Sequence, residues 1–367
     1  MGSCSLERER LEMFEVGPCK DAYEMGLLIG QRFSQLIRSR VATDLILQNQ
    51  LRPFAQTPSS QPLLKPLFDN TRTKFPRYWD ELLGTAAGSG VPLLDILLIN
   101  FRKEILAFIP KGGAKSTNAD TLDDCSDILV VNESMAIAAH NEDANIALVG
   151  HTYLIKGILP NGLFFVGYTY AGELPSCAFG FNSYGLAFTL NAVHPAEDEI
   201  VAGGVGRNFI TRDILEATSM EDAMNRIQSL EVCVGHSYNL IETSTRRIFN
   251  VETASRKRIS VYEVGETPFF HANMYLHLHI NQVKDENSIS RQKRAATMTK
   301  ISKGDLLSLL GDMEDKNYPI YMTGPLLHTL CTTVIDLDKQ TLSIIAGNPK
   351  EDDVSHVFSI SPTQKSH

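Results

Sequence analysis

The sequence has one tryptophan, only 8% aromatic residues, and no run of 18 apolar residues. Without such a run, a helix that crosses a membrane is excluded. The first 30 residues lack a basic start followed by an apolar stretch, being interrupted by Glu7, Arg8, Glu9 and Arg10. No cleaved secretion signal is expected, and no membrane partner. Cys-x-x-Cys pairs are missing as well. Cys4, Cys19, Cys125, Cys177, Cys233 and Cys331 are irregularly spaced, which in a chain this long reads as free thiols in a reducing, cytoplasmic setting. No block of like charge occurs, and 34 Lys and Arg against 43 Asp and Glu give a net charge of -9. A basic nucleic-acid surface is thereby excluded. Gly203-Gly204-Val205-Gly206 lacks the lysine and hydroxyl residue of a phosphate loop, so nucleotide binding is not supported. The start Met1-Gly2-Ser3-Cys4-Ser5-Leu6 has leucine where N-myristoylation wants Ser or Thr.

What is present is apolar content, 43% of 367 residues, enough to bury a large core without disulfide or metal, as one large domain or two smaller ones. From about Asp21 to Leu106 the pattern is helical, with Met25, Leu28, Ile29, Phe33, Leu36 and Ile37 at three- and four-residue steps. Gly26 and Gly30 predict a close approach of another element. Helical stretches around Leu63 to Ala87 and Leu93 to Leu106 are expected on either side of a Gly88-Ser89-Gly90 breaker. Pro110 to Asp124 has almost no apolar residue and reads as an exposed linker.

After the linker come short strands with turn signals. Ser126 to Val131 and Met135 to Ala139 flank one turn, Thr152 to Leu159 and Leu163 to Tyr170 a second, Cys177 to Phe181 and Leu186 to Leu190 a third. Three successive antiparallel hairpins follow from that pattern. A helix from Gly206 to Gln228, strands at Tyr238 to Ile241 and Ile248 to Val251, and helices at Ser288 to Lys300 and Lys303 to Leu310 are expected next. Strands at Thr332 to Leu337, Thr341 to Ala346 and His356 to Ile360 close the chain. The expected class is α+β, two packed antiparallel sheets covered by helices.

Cys125 stands where the linker meets the first strand, a position that gives a thiol access. From position alone a buried structural cysteine is the commoner reading, since free Cys is among the most buried residue types. The surrounding residues point the other way. Cys125-Ser126-Asp127, a hairpin, then His140-Asn141-Glu142-Asp143 resembles the N-terminal-nucleophile (Ntn) cysteine amidohydrolases of the penicillin acyltransferase type, peptidase family C45. That group includes the insect hydrolases of β-alanyl amines and, more remotely, penicillin V acylase and bile-salt hydrolase. Further similar segments are Asn100 to Glu104, Phe181 to Leu186 with Asn191, Gly235 to Leu240, His271-Ala272-Asn273 and Ser290 to Arg294.

The resemblance implies an αββα sandwich and a precursor that cuts itself between Asp124 and Cys125. A helical N-terminal segment, Met1 to Asp124, would then stay bound to a catalytic segment, Cys125 to His367. The freed α-amine of Cys125, with a pKa near ~7.7 to 8.0, would serve the thiol as its own base. Asp143 would orient that amine, and Asn273, with Asn191 as a second donor, would face the oxyanion. The bland readings are a strand-end aspartate and a turn-capping asparagine. The expected reaction is hydrolysis of a small N-acyl amide through a Cys125 thioester, without cofactor. The same thioester also serves an N-acyltransferase with acyl-CoA as co-substrate, and a catalytically silent binding protein is a third reading. Homo-oligomerisation is left open.

Two departures stand out. Relatives mostly carry Gly before the cysteine, where this chain has Asp124, and the bile-acid branch has Arg where this chain has His140. Arg291 and Arg294 share a helix face and are candidates, with His140, for substrate contact; a solvated face serves equally. His271, His277 and His279 lack a fourth ligand at convincing spacing, so no metal is expected. A papain-like Cys/His pair, using His236 or His271, is the competing enzymatic reading.

Overall fold

The computed structural model describes residues 11–110, 124–351 and 353–363. The Met1 to Leu6 start and nearly all of the expected linker lie outside these. Its last residue, Asp124, is not exposed as expected but 1% accessible.

The N-terminal helices are α1 (Ala22–Arg32), α2 (Ser34–Thr43), α3 (Arg52–Ala55), α4 (Gln61–Lys74), α5 (Pro76–Ser89), α6 (Leu93–Asn100) and α7 (Arg102–Phe108). The Gly26 and Gly30 expectation holds, because α1 and α5 pack on reciprocal glycines. A Cβ on Gly26 would come within 1.9 Å of the Glu81 carbonyl, and one on Gly84 within 2.0 Å of that of Tyr23. Gly88 is part of the same seam rather than a breaker, since a Cβ there would meet the Leu27 carbonyl. The helix stops at Gly90, which takes a left-handed φ of 72°.

One sheet runs in the order β1 (Met13–Val16), β4 (Thr152–Ile158), β5 (Phe164–Tyr170), β6 (Phe179–Asn182), β7 (Leu186–Ala192), β8 (His236–Glu242), β9 (Arg247–Ala254), β10 (Arg258–Glu263). The second runs β11 (Phe269–His271), β2 (Ser126–Val131), β3 (Ala136–Asn145), β12 (Leu327–Asp336), β13 (Thr341–Ile345), β14 (Val354–Ser359). Pairing is antiparallel apart from β1 on β4. The first expected hairpin thus lies in one sheet and the other two in its partner. Strands β1, β10 and β11, short or weakly patterned, were not expected.

Helices α8 (Arg207–Ile214) and α9 (Met220–Gln228) replace the single expected helix. Ser219 caps the second by accepting from the Asp222 N–H, which needs an extended residue between them. Helices α10 (Glu286–Ala296) and α11 (Lys303–Leu310) complete the set described.

Three apolar layers explain the stacking. The N-terminal helices with α8 and α9 pack on the first sheet through Ile29, Trp79, Phe101, Phe165, Phe209 and Tyr238. The sheets meet through residues such as Leu129, Ala138, Val166, Phe179 and Ile335. The second sheet's outer face, with Ile128, Val130 and Ile137, packs on Ala295 and Leu306 of α10 and α11. The architecture is the expected αββα sandwich.

Candidate active site

Strands β2 and β3 pair with Ser126 opposite Asn141 and Asp127 opposite His140. Side chains alternate along a strand, so Asp127 and Leu129 share the inter-sheet face with Ala138 and His140, while Ser126 and Asn141 face α10 and α11. The Cys125 thiol lies on the inner side, its Sγ 3.4 Å from Glu142 Oε2. His140 bridges the same Oε2 through Nε2 and Asp127 Oδ1 through Nδ1, both at 3.0 Å. Thr189, across the sandwich on β7, donates to Asp127 Oδ1 at 2.7 Å, and the Tyr170 hydroxyl bonds the other oxygen of Glu142.

Electrostatics follow from burial, since Cys125 is 4% and His140 0% accessible. Desolvation, then the Glu142 charge, hold the thiol far above its ordinary range. Burial alone would lower His140, but the Asp127 charge and hydrogen bond override it and hold the imidazole well above its usual value. The charged form of the imidazole is thereby favoured between Asp127 and Glu142, and the neutral form of the thiol beside it.

On the helix side, Arg291 of α10 organises the chain around Cys125. Its Nη1 donates to the Cys125 carbonyl at 2.7 Å, to Ser126 Oγ at 2.9 Å and to the Asp124 carbonyl at 3.4 Å. Its Nη2 donates to Asn273 Oδ1 at 2.8 Å. Asp143 Oδ1 accepts from Thr329, while Oδ2 has no hydrogen-bond partner among the described residues. Burial pushes the Asp143 carboxyl up to about 8, against the opposing pull of Thr329 and Arg291.

The sequence profile of the family described as acyl-coenzyme A:6-aminopenicillanic acid acyl-transferase matches residues 130–351, more than half of the 367-residue chain. The chain belongs to this family. A Drosophila melanogaster relative, beta-alanyl-dopamine/carcinine hydrolase, is 26% identical over 358 residues, 90% of this chain and 91% of the relative. Among solved structures, the Caenorhabditis elegans N-acylethanolamine-hydrolyzing acid amidase ortholog is similar at a TM-score of 0.40 and 13% identity, covering 64% of this chain and 99% of that one. Conjugated bile acid hydrolase from Clostridium perfringens gives 0.39 and 11%, over 66% and 93%. The protein is an enzyme of the Ntn amidohydrolase and acyltransferase class that acts on small amides.

Within this acyl-transferase family member, the residues singled out from sequence fall into distinct places. Cys125, His140, Asp143, Asn273 and Arg291 converge. Asn273 Nδ2 donates to the Ala192 carbonyl at 3.0 Å. Asn191 ties β7 to the His271 carbonyl at 3.1 Å, with its own Oδ1 unsatisfied among the described residues. Arg294 is paired with Asp312 at 2.7 Å. Asn100 and Asn182 serve backbone carbonyls of the scaffold, those of Gly172 and Leu215. His271 is held by Glu252 at 3.2 Å, and His236 meets Arg207 at 3.4 Å. Neither bonds the thiol among the described residues; the imidazole beside it belongs to His140.

Cys125, His140 and Glu142 bring one donor atom each within 4.8 Å of one another. Both ring nitrogens of His140 are already turned to carboxyl groups, those of Asp127 and Glu142. Glu142, Asp127 and Thr329 were given no role from sequence, and Tyr170 only a place in an aromatic pocket or core with Phe164, Phe165 and Tyr168. The period-two match of Cys125 and Asp127 on one strand with His140 and Glu142 on the next was the signal available.

Proposed function

We propose that the protein is a self-processing cysteine amidohydrolase that cleaves a small N-acyl amide through a Cys125 thioester. The observation that carries this is the two-sided setting of Cys125. Its thiol is bonded to Glu142 on one side of β2, and on the other lies the buried Asp143, with an oxygen that has no partner among the described residues.

Before cleavage the nitrogen of Cys125 is a peptide nitrogen and no base, so the thiol proton needs another acceptor. Glu142, 3.4 Å away, takes it as Sγ attacks the carbonyl carbon of Asp124. The oxyanion that forms faces Arg291 Nη1, which already stands 3.4 Å from that oxygen. The carbon–nitrogen bond then breaks, the nitrogen takes up the proton, and Asp124 remains joined to Sγ as a thioester. Water attacks this thioester, restoring the thiol and leaving Asp124 as a new chain end.

The new α-amine is assigned to Asp143, whose unpartnered oxygen would accept a hydrogen bond from it. An ammonium there lowers the Asp143 carboxyl, and the pair replaces Glu142 as the proton store for turnover. Each cycle repeats the same bonds: Sγ acylated with loss of the amine, then water releasing the acid. Asn273 Nδ2 carries two hydrogens, and Ala192 takes one. The other is available to the substrate oxyanion.

Residues 1–124 would remain attached to residues 125–367 after the cut, because the apolar layer of the N-terminal helices includes Phe165, Phe209 and Tyr238 from beyond it. Hydrolysis is preferred because the relative that matches over 91% of its length is a hydrolase. The first substrate in its name joins a β-alanyl group to dopamine. Deacylation by an amine, with acyl-CoA as donor, is the second reading, favoured by the activity in the family's name.

Intact mass and N-terminal sequencing test the proposal. Wild type should give two associated chains, the larger beginning at Cys125, and Cys125→Ala one uncut, inactive chain. An active wild type that stays a single chain would sink it.

A further inference from the structure

The residue before the cut is Asp124 rather than glycine, and its side chain occupies a built position. Asp124 is 1% accessible. Its Oδ2 accepts from Asn287 Nδ2 at 2.8 Å, and its Oδ1 is 3.6 Å from Arg291 Nη2. Asn287 lies in the first turn of α10, so the carboxylate also sits at the positive end of an 11-residue helix. A His194 ring nitrogen and an Asp285 oxygen come within 4.8 Å of it. Asp285 opposes an anion, but it is committed to capping α10, accepting the Ser288 N–H at 2.9 Å. A guanidinium, an amide donor and a helix N-terminus outweigh it.

Self-cleavage and turnover pass through the same bond. In each, Sγ attacks an acyl carbon, the carbon–nitrogen bond breaks, the amine leaves with a proton, and water then cleaves the thioester. Whatever fixes the Asp124 acyl group for the first reaction therefore stands where the substrate's acyl group must lie in every later one. We infer that the space filled by the Asp124 side chain becomes the acyl subsite of the cut enzyme, and that it selects short acyl chains ending in a carboxylate, such as succinyl or α-aspartyl amides. This rests on the thioester reading above and adds the substrate class to it. It also separates this chain from its Drosophila relative. A β-alanyl group has the same reach from the acyl carbon, but it ends in an ammonium, which would face Arg291.

The experiment compares N-succinyl, N-butyryl and N-(β-alanyl) amides of one chromogenic arylamine with the purified, cut protein. Loss of a charge-assisted hydrogen bond is worth about ten- to a hundredfold in rate. The succinyl amide should therefore exceed the butyryl amide in kcat/KM by at least about tenfold, with the β-alanyl amide slowest. Asn287→Leu should shrink the succinyl-to-butyryl ratio about tenfold, and Asn287→Asp should shrink it further by adding a like charge. A butyryl or β-alanyl amide cleaved as well as the succinyl amide overturns the inference, and the substrate panel decides this on wild type even if the variants misfold. A protein cut at Cys125 that turns over none of the three also overturns it, leaving self-processing intact. A chain that never cuts removes the thioester reading itself, and the subsite with it.

Discussion

Replacing Glu142 by glutamine separates maturation from turnover. The substitution keeps shape and the contact with Tyr170, but removes the proton acceptor 3.4 Å from Sγ. Two effects then oppose one another. Removing a unit charge at that distance relieves the thiolate of repulsion worth roughly 5 kcal/mol at an effective dielectric of about 20. Against this, the proton has no acceptor, because the neighbouring His140 still holds its proton against Asp127 and the thiol is buried.

With Glu142 present, the proton passes to the carboxylate as the thiolate forms, so the repulsion vanishes in the same step. The relief is thus available to wild type as well, and loss of the base dominates. A positioned base contributes about 100- to 10,000-fold, and maturation should slow by that factor. Freshly translated or refolded chain, sampled over hours and resolved by intact mass, measures the rate. Glu142→Gln that cuts as fast as wild type, or faster, would refute the base assignment. It would mean that Glu142 only holds the thiol protonated and that His140 stabilises the thiolate directly.

The complementary change, Asp143→Asn, should permit cutting while lowering kcat/KM of the cut enzyme about tenfold to a hundredfold, through loss of a charge-assisted bond to the α-amine; steady-state kinetics on processed protein reads this. In the uncut Cys125→Ala background, Asp143 sets a pH trend. Its carboxyl, raised from 3.8 to about 8, is protonated more readily folded than unfolded, so its share of stability is complete below pH about 4 and lost as pH rises through about 8. The slope is at most about 1.4 kcal/mol per pH unit, and Asp143→Asn should remove it in urea titrations at pH 5 and pH 8. Gly84→Ala would drive a Cβ to 2.0 Å from the Tyr23 carbonyl, so thermal unfolding should show a loss of about 1–3 kcal/mol or more, without a change in acyl preference.

How much of this was legible in the sequence depends on which interactions set each feature. The hairpin strands around the site follow from local alternation and turn residues, and β2 runs from Ser126 to Val131 as the pattern indicates. The α1 and α5 seam follows from small residues four apart. Strand β11 is three residues long and exists because it pairs with β2, a partner more than 130 residues earlier that no local window contains. The division of the hairpins between two sheets is likewise a tertiary choice. So is the helix break before Ser219, where a cap outbids continued apolar spacing.

The same distinction runs through the site. Cys125, Asp143, Asn273 and Arg291, which the fold brings together, were singled out because the motifs around them are similar to those of known enzymes, whereas Glu142 was passed over as part of a motif although it bonds the thiol. Asp124 shows the limit most sharply. In sequence it is the end of a polar linker and an awkward substitute for glycine. In three dimensions its charge is matched by Asn287 and Arg291, residues more than 160 positions away. A carboxylate that costs several kcal/mol to desolvate alone is retained at a cleavage point only where such partners receive it. Were Asp124 cut from the nucleophile as proposed, those partners would remain, and a site built to hold one carboxylate is predisposed to hold the next.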